Sequence, residues 1–253
     1  MTYDIPTMVS EATGVLKSLI AIPSLSRDKE KAADYRQNYI ELQGMATGRK
    51  GNNIWCLSPM FDLNKPTLLL NSHIDTVKAV NGWRKDPFTP TQESNGKLYG
   101  LGSNDAGASV VSLLQVFLHL CRTTQKYNLI YLASCEEEVS GKGGIGCVLP
   151  ELPPIHFAIV GEPTEMQPAI AEKGLMVLDV TAYGKAGHAA RNEGDNAIYK
   201  VLEDIAWFRD YRFEKVSPLL GPVKMSVTQI NAGTQCHSRP LHFCSRYPQQ
   251  RML

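Results

Sequence analysis

The chain has 253 residues, 43% of them hydrophobic and 20% charged, with a formal net charge of +1. That length suffices for one large or two ordinary domains with a sizeable core, and so even a balance of charge speaks against nucleic acid or an anionic membrane as a partner. No apolar run reaches spanning length. The six cysteines, at 56, 121, 135, 147, 236 and 244, form no C-x-x-C pair, so neither a disulfide framework nor a thiolate zinc site is indicated and a cytoplasmic setting is expected.

Met1 to Ile22 carries spaced apolar positions (Val9, Ala12, Leu16, Leu19, Ile20) and early acidic residues. This is the pattern of an amphipathic helix, not of a secretory signal. Pro23 ends it. Asp28 to Leu42 reads as a second helix, with Ala32, Ala33, Tyr35 and Tyr39 among polar residues and Gly44 as the stop. Asn53 to Leu57 is a short strand. Thr67 to Leu70 opens a buried, parallel-type strand that turns polar at Asn71-Ser72-His73-Ile74-Asp75. An alternating exit points His73 and Asp75 the same way, so Asp75 is placed to orient the imidazole. The long loop from Lys78 to Gly102 is of a kind that is often functional. Asp105 opens a small-residue helix to about Leu120, where a plain helix cap is the alternative reading.

Asn128 to Ala133 is the next apolar strand and runs into Cys135-Glu136-Glu137-Glu138. Phe157 to Val160 is another, and exits into Gly161-Glu162-Pro163-Thr164. This alternation predicts an α/β fold with a mixed, largely parallel sheet flanked by helices. If the strands are neighbours, His73, Asp105, the three glutamates and Glu162 meet at one sheet edge, where such folds bind ligands. One histidine with several carboxylates suits zinc, and also cobalt or manganese. Neighbouring glutamates point in different directions, so one can ligate while the next acts as a base. The chemistry predicted is metal-assisted hydrolysis of an amide or ester.

The composition shifts near Glu172-Lys173-Gly174. Leu175 to Ala182 and Val223 to Ile230 alternate as half-exposed strands, and Asn196 to Phe208 is a helix with Ile198, Val201, Leu202, Ile205 and Phe208 on one stripe. The expected division is a catalytic domain over 1–172, a smaller α+β domain over 173–235, and an aberrant tail over 236–253. That tail has no acidic residue and is read as having neither strand alternation nor a helical stripe.

Six motifs in order carry a resemblance. They are Ser72-His73-Ile74-Asp75-Thr76-Val77, Trp83 with Asp86-Pro87-Phe88, Tyr99-Gly100-Leu101-Gly102-Ser103-Asn104-Asp105, Glu136-Glu137-Glu138, Gly161-Glu162-Pro163-Thr164, and Gly184-Lys185-Ala186-Gly187-His188-Ala189-Ala190. From Asn52-Asn53 to about Gln235 the chain resembles the M20 family of co-catalytic zinc peptidases and amidohydrolases, and within it the acetylornithine deacetylase and succinyl-diaminopimelate desuccinylase group. The resemblance implies that His73 and Glu162 hold one zinc, that Asp105 bridges to a second held by Glu138, and that Glu137 is the general base. Asp75 is then the partner of His73, and the smaller domain a lid that forms a homodimer and sends His188 to the partner's oxyanion. The implied substrate is an N-acyl amino acid of arginine biosynthesis. A dipeptidase or aminopeptidase, or a non-catalytic metal-binding remnant, is the alternative.

The chain departs from the family pattern in two places. Glu136 stands where the family has Asp. After Gln235 the family's continuation, with its last zinc-ligand histidine, is not found, and His237 and His242 lie in the wrong context to replace it. A frame shift near Gln235 is the expectation, tested by reading the coding DNA for a neighbouring frame that restores the pattern.

Overall fold

The computed structural model describes residues 4–23, 30–185, 187, 188, 191, 193–231 and the backbone of 241–247. The chain divides into two units, Met1–Met166 and Gln167–Leu253.

In the first unit, α1 (Ile5–Ile20) begins at Asp4, whose side chain accepts a hydrogen bond from Thr7 N at 3.3 Å. Such a cap satisfies an otherwise orphaned helix donor. α2 (Glu30–Leu42) and α3 (Ala108–Leu120) complete the long helices of the unit. The sheet is built from β1 (Thr47–Lys50), β2 (Asn53–Leu57), β3 (Thr67–His73), β6 (Asn128–Ser134) and β7 (Phe157–Val160), in the order β1-β2-β6-β3-β7. The short pair β4 (Thr91–Gln92) and β5 (Leu98–Tyr99) forms a separate ribbon inside the long loop.

β3 runs parallel to β6 on one side and to β7 on the other, while β1 and β2 add an antiparallel margin. β1 was not anticipated: Thr47-Gly48-Arg49-Lys50 has no apolar pattern, and it is held by pairing with β2 across a tight turn. β6 is buried at every position, as a central strand covered on both faces should be. Its side chains alternate between two cores. Leu129, Tyr131 and Ala133 pack with Leu70, Ile54, Val110, Leu114 and Phe117; Ile130 and Leu132 pack with Leu69 and Val148 of α4 (Ile145–Val148). α1 lies on α3 through Val15, Leu16, Ile20 and Val111.

Two local features depart from expectation. α2 buries Ala32, Ala33, Arg36 and Ile40, so its inward stripe includes a charged residue, with Tyr35 and Tyr39 partly buried against the core beside it. β7 is an edge strand whose four residues, Phe157-Ala158-Ile159-Val160, are all exposed.

In the second unit, β8 (Met176–Ala182), β9 (Ser226–Asn231) and β10 (Leu241–Tyr247) form an antiparallel sheet in the order β8-β10-β9. α5 (Ala197–Asp210) is capped by Asn196, and its Val201 is buried among Val180, Ala182, Ile205, Phe208 and Val227. β10 corrects the reading of the tail as devoid of strand character. Leu241, Phe243 and Tyr247 alternate with polar residues, and the loss of acidic residues hid that alternation. Two strands that do not pair with each other also leave backbone groups needing a partner between them. The rest of the tail, 236–240 and 248–253, lies outside the described residues. Among the described residues no helix is long and apolar enough to cross a membrane.

Candidate metal centre

The parallel register brings His73 level with Ser134, and Asn71 level with Val160. The three strand exits therefore open side by side. Buried polar side chains tie them together. Asn71 Nδ2 donates to Leu132 O and to Ser134 Oγ, both at 3.0 Å, and Ser72 Oγ donates to Gly161 O at 2.7 Å. Each bond satisfies a group whose burial unpaired would be costly. The sequence reading passed over Asn71, Ser72 and Ser134 as mere strand ends. The signal available was three polar residues inside otherwise apolar runs.

His73 is 2% exposed. Its Nδ1 lies 3.1 Å from the main-chain oxygen of Asp75, so that nitrogen donates and Nε2 faces outward. Nε2 is 2.9 Å from Asp105 Oδ1, 3.7 Å from Glu162 Oε2 and 4.0 Å from Glu137 Oε2. Ligand atoms of His73, Asp105 and Glu162 all lie within 4.8 Å of one another. Asp75 is fully buried, and its two carboxylate oxygens accept from the backbone N–H groups of Glu137 and Glu138, each at 3.2 Å. Asp75 thus faces His73 Nδ1 with its carbonyl at 3.1 Å and its carboxylate Oδ1 at 3.7 Å, and the same carboxylate fastens the glutamate loop.

The charges of these groups are set by how closely they sit. Burial disfavours the imidazolium of His73, but hydrogen bonds to Asp75, Glu162 and Asp105 and the charge of Glu162 outweigh it and push the group up to about 11. Glu137 and Glu138 are both held above the usual carboxylate range, first by burial and then by their acidic neighbours. Asp105 is the strongest of those neighbours for Glu138, which lies beside the His73 group without joining its tightest cluster. Glu136 has a left-handed backbone (φ 60) and turns its carboxylate away to the backbone N–H of Gly143, at 2.9 Å. His188 is an exposed residue of the second unit whose carbonyl accepts from Arg191 N at 3.0 Å.

Asp105 is not a helix cap. It stands in a wide turn, Ser103–Gly107, with φ −111 and ψ 100, and α3 begins only at Ala108. Gly102 makes that turn possible. Its φ is +69, and a Cβ there would sit 2.2 Å from Thr76 Cγ2. Gly102→Ala is expected to cost about 1–3 kcal/mol of stability, from backbone strain and overpacking together. Denaturant unfolding checks it, and an unchanged midpoint would show that the turn relaxes freely.

An imidazole with one nitrogen fixed as a donor, and the other facing several carboxylates, fits a divalent cation. The cation relieves the mutual repulsion of the acids and takes the exposed nitrogen. An α/β sheet with such a cluster at its carboxyl edge makes a candidate metal centre. Comparison with known proteins narrows this. The pattern of peptidase family M20/M25/M40 matches residues 69–230, and the chain belongs to that family. It is 35% identical over 199 residues to an acetylornithine deacetylase of Klebsiella pneumoniae, covering 73% of this chain and 51% of that protein. It is 31% identical over 222 residues to the acetylornithine deacetylase of Proteus mirabilis, covering 81% and 55%. The chain spans about half the length of the curated relatives it matches. Among solved structures, a tripeptidase from Staphylococcus aureus aligns with a TM-score of 0.67 at 16% identity, covering 94% of this chain and 66% of the other. A dinuclear metal-binding M20 peptidase from Bacillus subtilis aligns with a TM-score of 0.61 at 13% identity, covering 97% and 65%. These structural likenesses show the fold.

Proposed function

We propose that this chain carries the metal centre of a zinc-dependent amidohydrolase that removes the acyl group from an N-acyl amino acid, such as N-acetylornithine, N-acetylcitrulline or N-succinylornithine. The observation that carries the reading is the buried His73, its outward nitrogen facing Asp105, Glu162 and Glu137 at one sheet edge. The names of the curated relatives support the deacetylase assignment.

In this reading His73, Glu162, Asp105 and Glu138 are the residues that would hold the zinc. When bound, the ions polarise the scissile carbonyl and make water nucleophilic near neutral pH. Asp75 fixes the tautomer of His73 through its carbonyl and, through its carboxylate, sets the positions of Glu137 and Glu138. Glu137 takes a proton from the attacking water and returns it to the leaving amine. A carboxylate held above its ordinary range is better matched to that task than a free one. His188 stabilises the oxyanion of a partner subunit, the second unit forming a homodimer. The compartment proposed is the cytoplasm.

The test uses the purified chain with zinc and three substrates: N-acetylornithine, N-succinylornithine and a dipeptide. Turnover of an N-acyl amino acid, abolished by a chelator and restored by zinc, is the expected result. Hydrolysis of the dipeptide alone would transfer the chain to the peptidases. Neither zinc binding nor turnover would leave a non-catalytic remnant.

A further inference from the structure

We propose that Cys135 and Cys147 are a redox-active dithiol whose oxidation to a disulfide weakens the adjoining metal centre. Cys135 immediately precedes the Glu136-Glu137-Glu138 run, and Cys147 lies in α4 at the far end of the same loop. Both thiols donate to a single acceptor, the carbonyl of Gly143, at 3.3 and 3.4 Å. Sharing one oxygen puts the two sulfurs at most about 6.7 Å apart, and both side chains must turn inward to close the bond. The Asn53 amide links the pair: its oxygen accepts from Cys135 N at 2.9 Å, and its nitrogen stands 3.8 Å from Cys147 Sγ.

The surroundings allow the bond to form without stranding a buried group. Asn53 Nδ2 also donates to the Gly143 carbonyl, at 2.7 Å, so this oxygen keeps a partner after both thiols leave it. Access is graded as well. Cys147 is half-buried and Cys135 is 3% exposed, so an external oxidant meets Cys147 first. With oxidised glutathione, the Cys147 thiolate attacks one glutathione sulfur and expels the other as a thiolate. Cys135, as thiolate, then attacks the sulfur of Cys147 and expels the second glutathione. One protein disulfide forms, one glutathione disulfide is reduced to two thiols, and the two protein protons pass to the departing thiolates.

The link to the site is mechanical. Gly143 is the hub of the loop, since its N–H also holds the Glu136 carboxylate. Drawing both sulfurs off this hub pulls Cys135, and with it the amides of Glu137 and Glu138 that fasten Asp75. The effect on metal rests on the function proposed above; the disulfide does not.

The experiment treats the full chain with oxidised glutathione, maps disulfides by mass spectrometry of non-reduced peptides, and measures zinc affinity by competition with a chromophoric chelator. A Cys135–Cys147 peptide pair is expected, with zinc affinity about tenfold lower and recovered on adding dithiothreitol. Cys147→Ser and Cys147→Ala should both keep full affinity under the oxidant. Free thiols, or glutathione adducts alone, would overturn the dithiol. A mapped disulfide with unchanged zinc affinity, or an equal loss in the Cys147 variants, would overturn its coupling to the site. A reduced chain that binds no zinc counts against the hydrolase reading, while the peptide map still decides the disulfide.

Discussion

Alanine in place of His73 is expected to lower the zinc affinity of the chain by about a hundredfold or more and to abolish any zinc-dependent hydrolysis. Among the described residues His73 is the one imidazole in the cluster and the group on which the others converge, with Asp105, Glu162 and Glu137 arrayed around Nε2. Without it the remaining donors are carboxylates, which bind zinc less selectively and repel one another. The pH dependence follows from the same geometry. His73 holds its proton up to about 11, and an ion that takes Nε2 must displace that proton. Affinity in the parent chain should therefore climb as pH rises, by up to about tenfold per unit across neutral pH. The His73→Ala chain should lose that steep dependence. Isothermal titration at two pH values reads both effects. Parent-like affinity in the variant would place the metal elsewhere.

The second large effect concerns stability. Arg36→Met is expected to raise the free energy of unfolding by about 2 kcal/mol, read from the urea midpoint. Arg36 is 2% exposed, and its Nε and Nη2 have no hydrogen-bond partner among the described residues. It lines a cavity of about 30 Å³ with Leu16, Ile20, Ile74, Asp75 and Val110. Burial holds the guanidinium down to about 10, so it remains charged at neutral pH, against the pull of Asp75 and others in the opposite direction. Two effects compete: the cost of a desolvated cation with orphaned donors, and its attraction to the buried Asp75 carboxylate. The orphaned donors Nε and Nη2 tip the balance, so a flexible apolar chain of similar length should win. Loss of stability in Arg36→Met would mean that Asp75 depends on this charge more than on the amides it accepts from.

Arg36 also shows what sequence reading sees and what it does not. Periodicity placed α2 through Glu30 to Leu42, the expected start at Asp28 lying outside the described residues, but a charge among polar residues looked solvated. Only the spacing of Ala32, Arg36 and Ile40, four apart, hints that they share a face. The strand exits were legible because short apolar runs ending in His73, the glutamates and Glu162 are chemically conspicuous. That the exits adjoin depends on register, which the Asn71, Ser72 and Ser134 bonds help to set. Asp105 was found for the wrong local reason, since a helix start and a wide turn just ahead of one look alike in sequence. Glu136 was set aside as lying outside the working pair, and its hold on Gly143 shows it organising the loop instead. β10 was missed because composition drew attention away from its alternation.

The bare margin at β7 carries a cost in solution behaviour. Among the described residues, Phe157-Ala158-Ile159-Val160 has no strand on its outer side; its apolar side chains lie on both faces, and it has none of the lysines, prolines or bulges by which natural sheets discourage recruitment of foreign strands. Glu162 follows this row after Gly161. Any chain that zips onto it, another molecule of the same protein included, extends the sheet to the threshold of the cluster around His73.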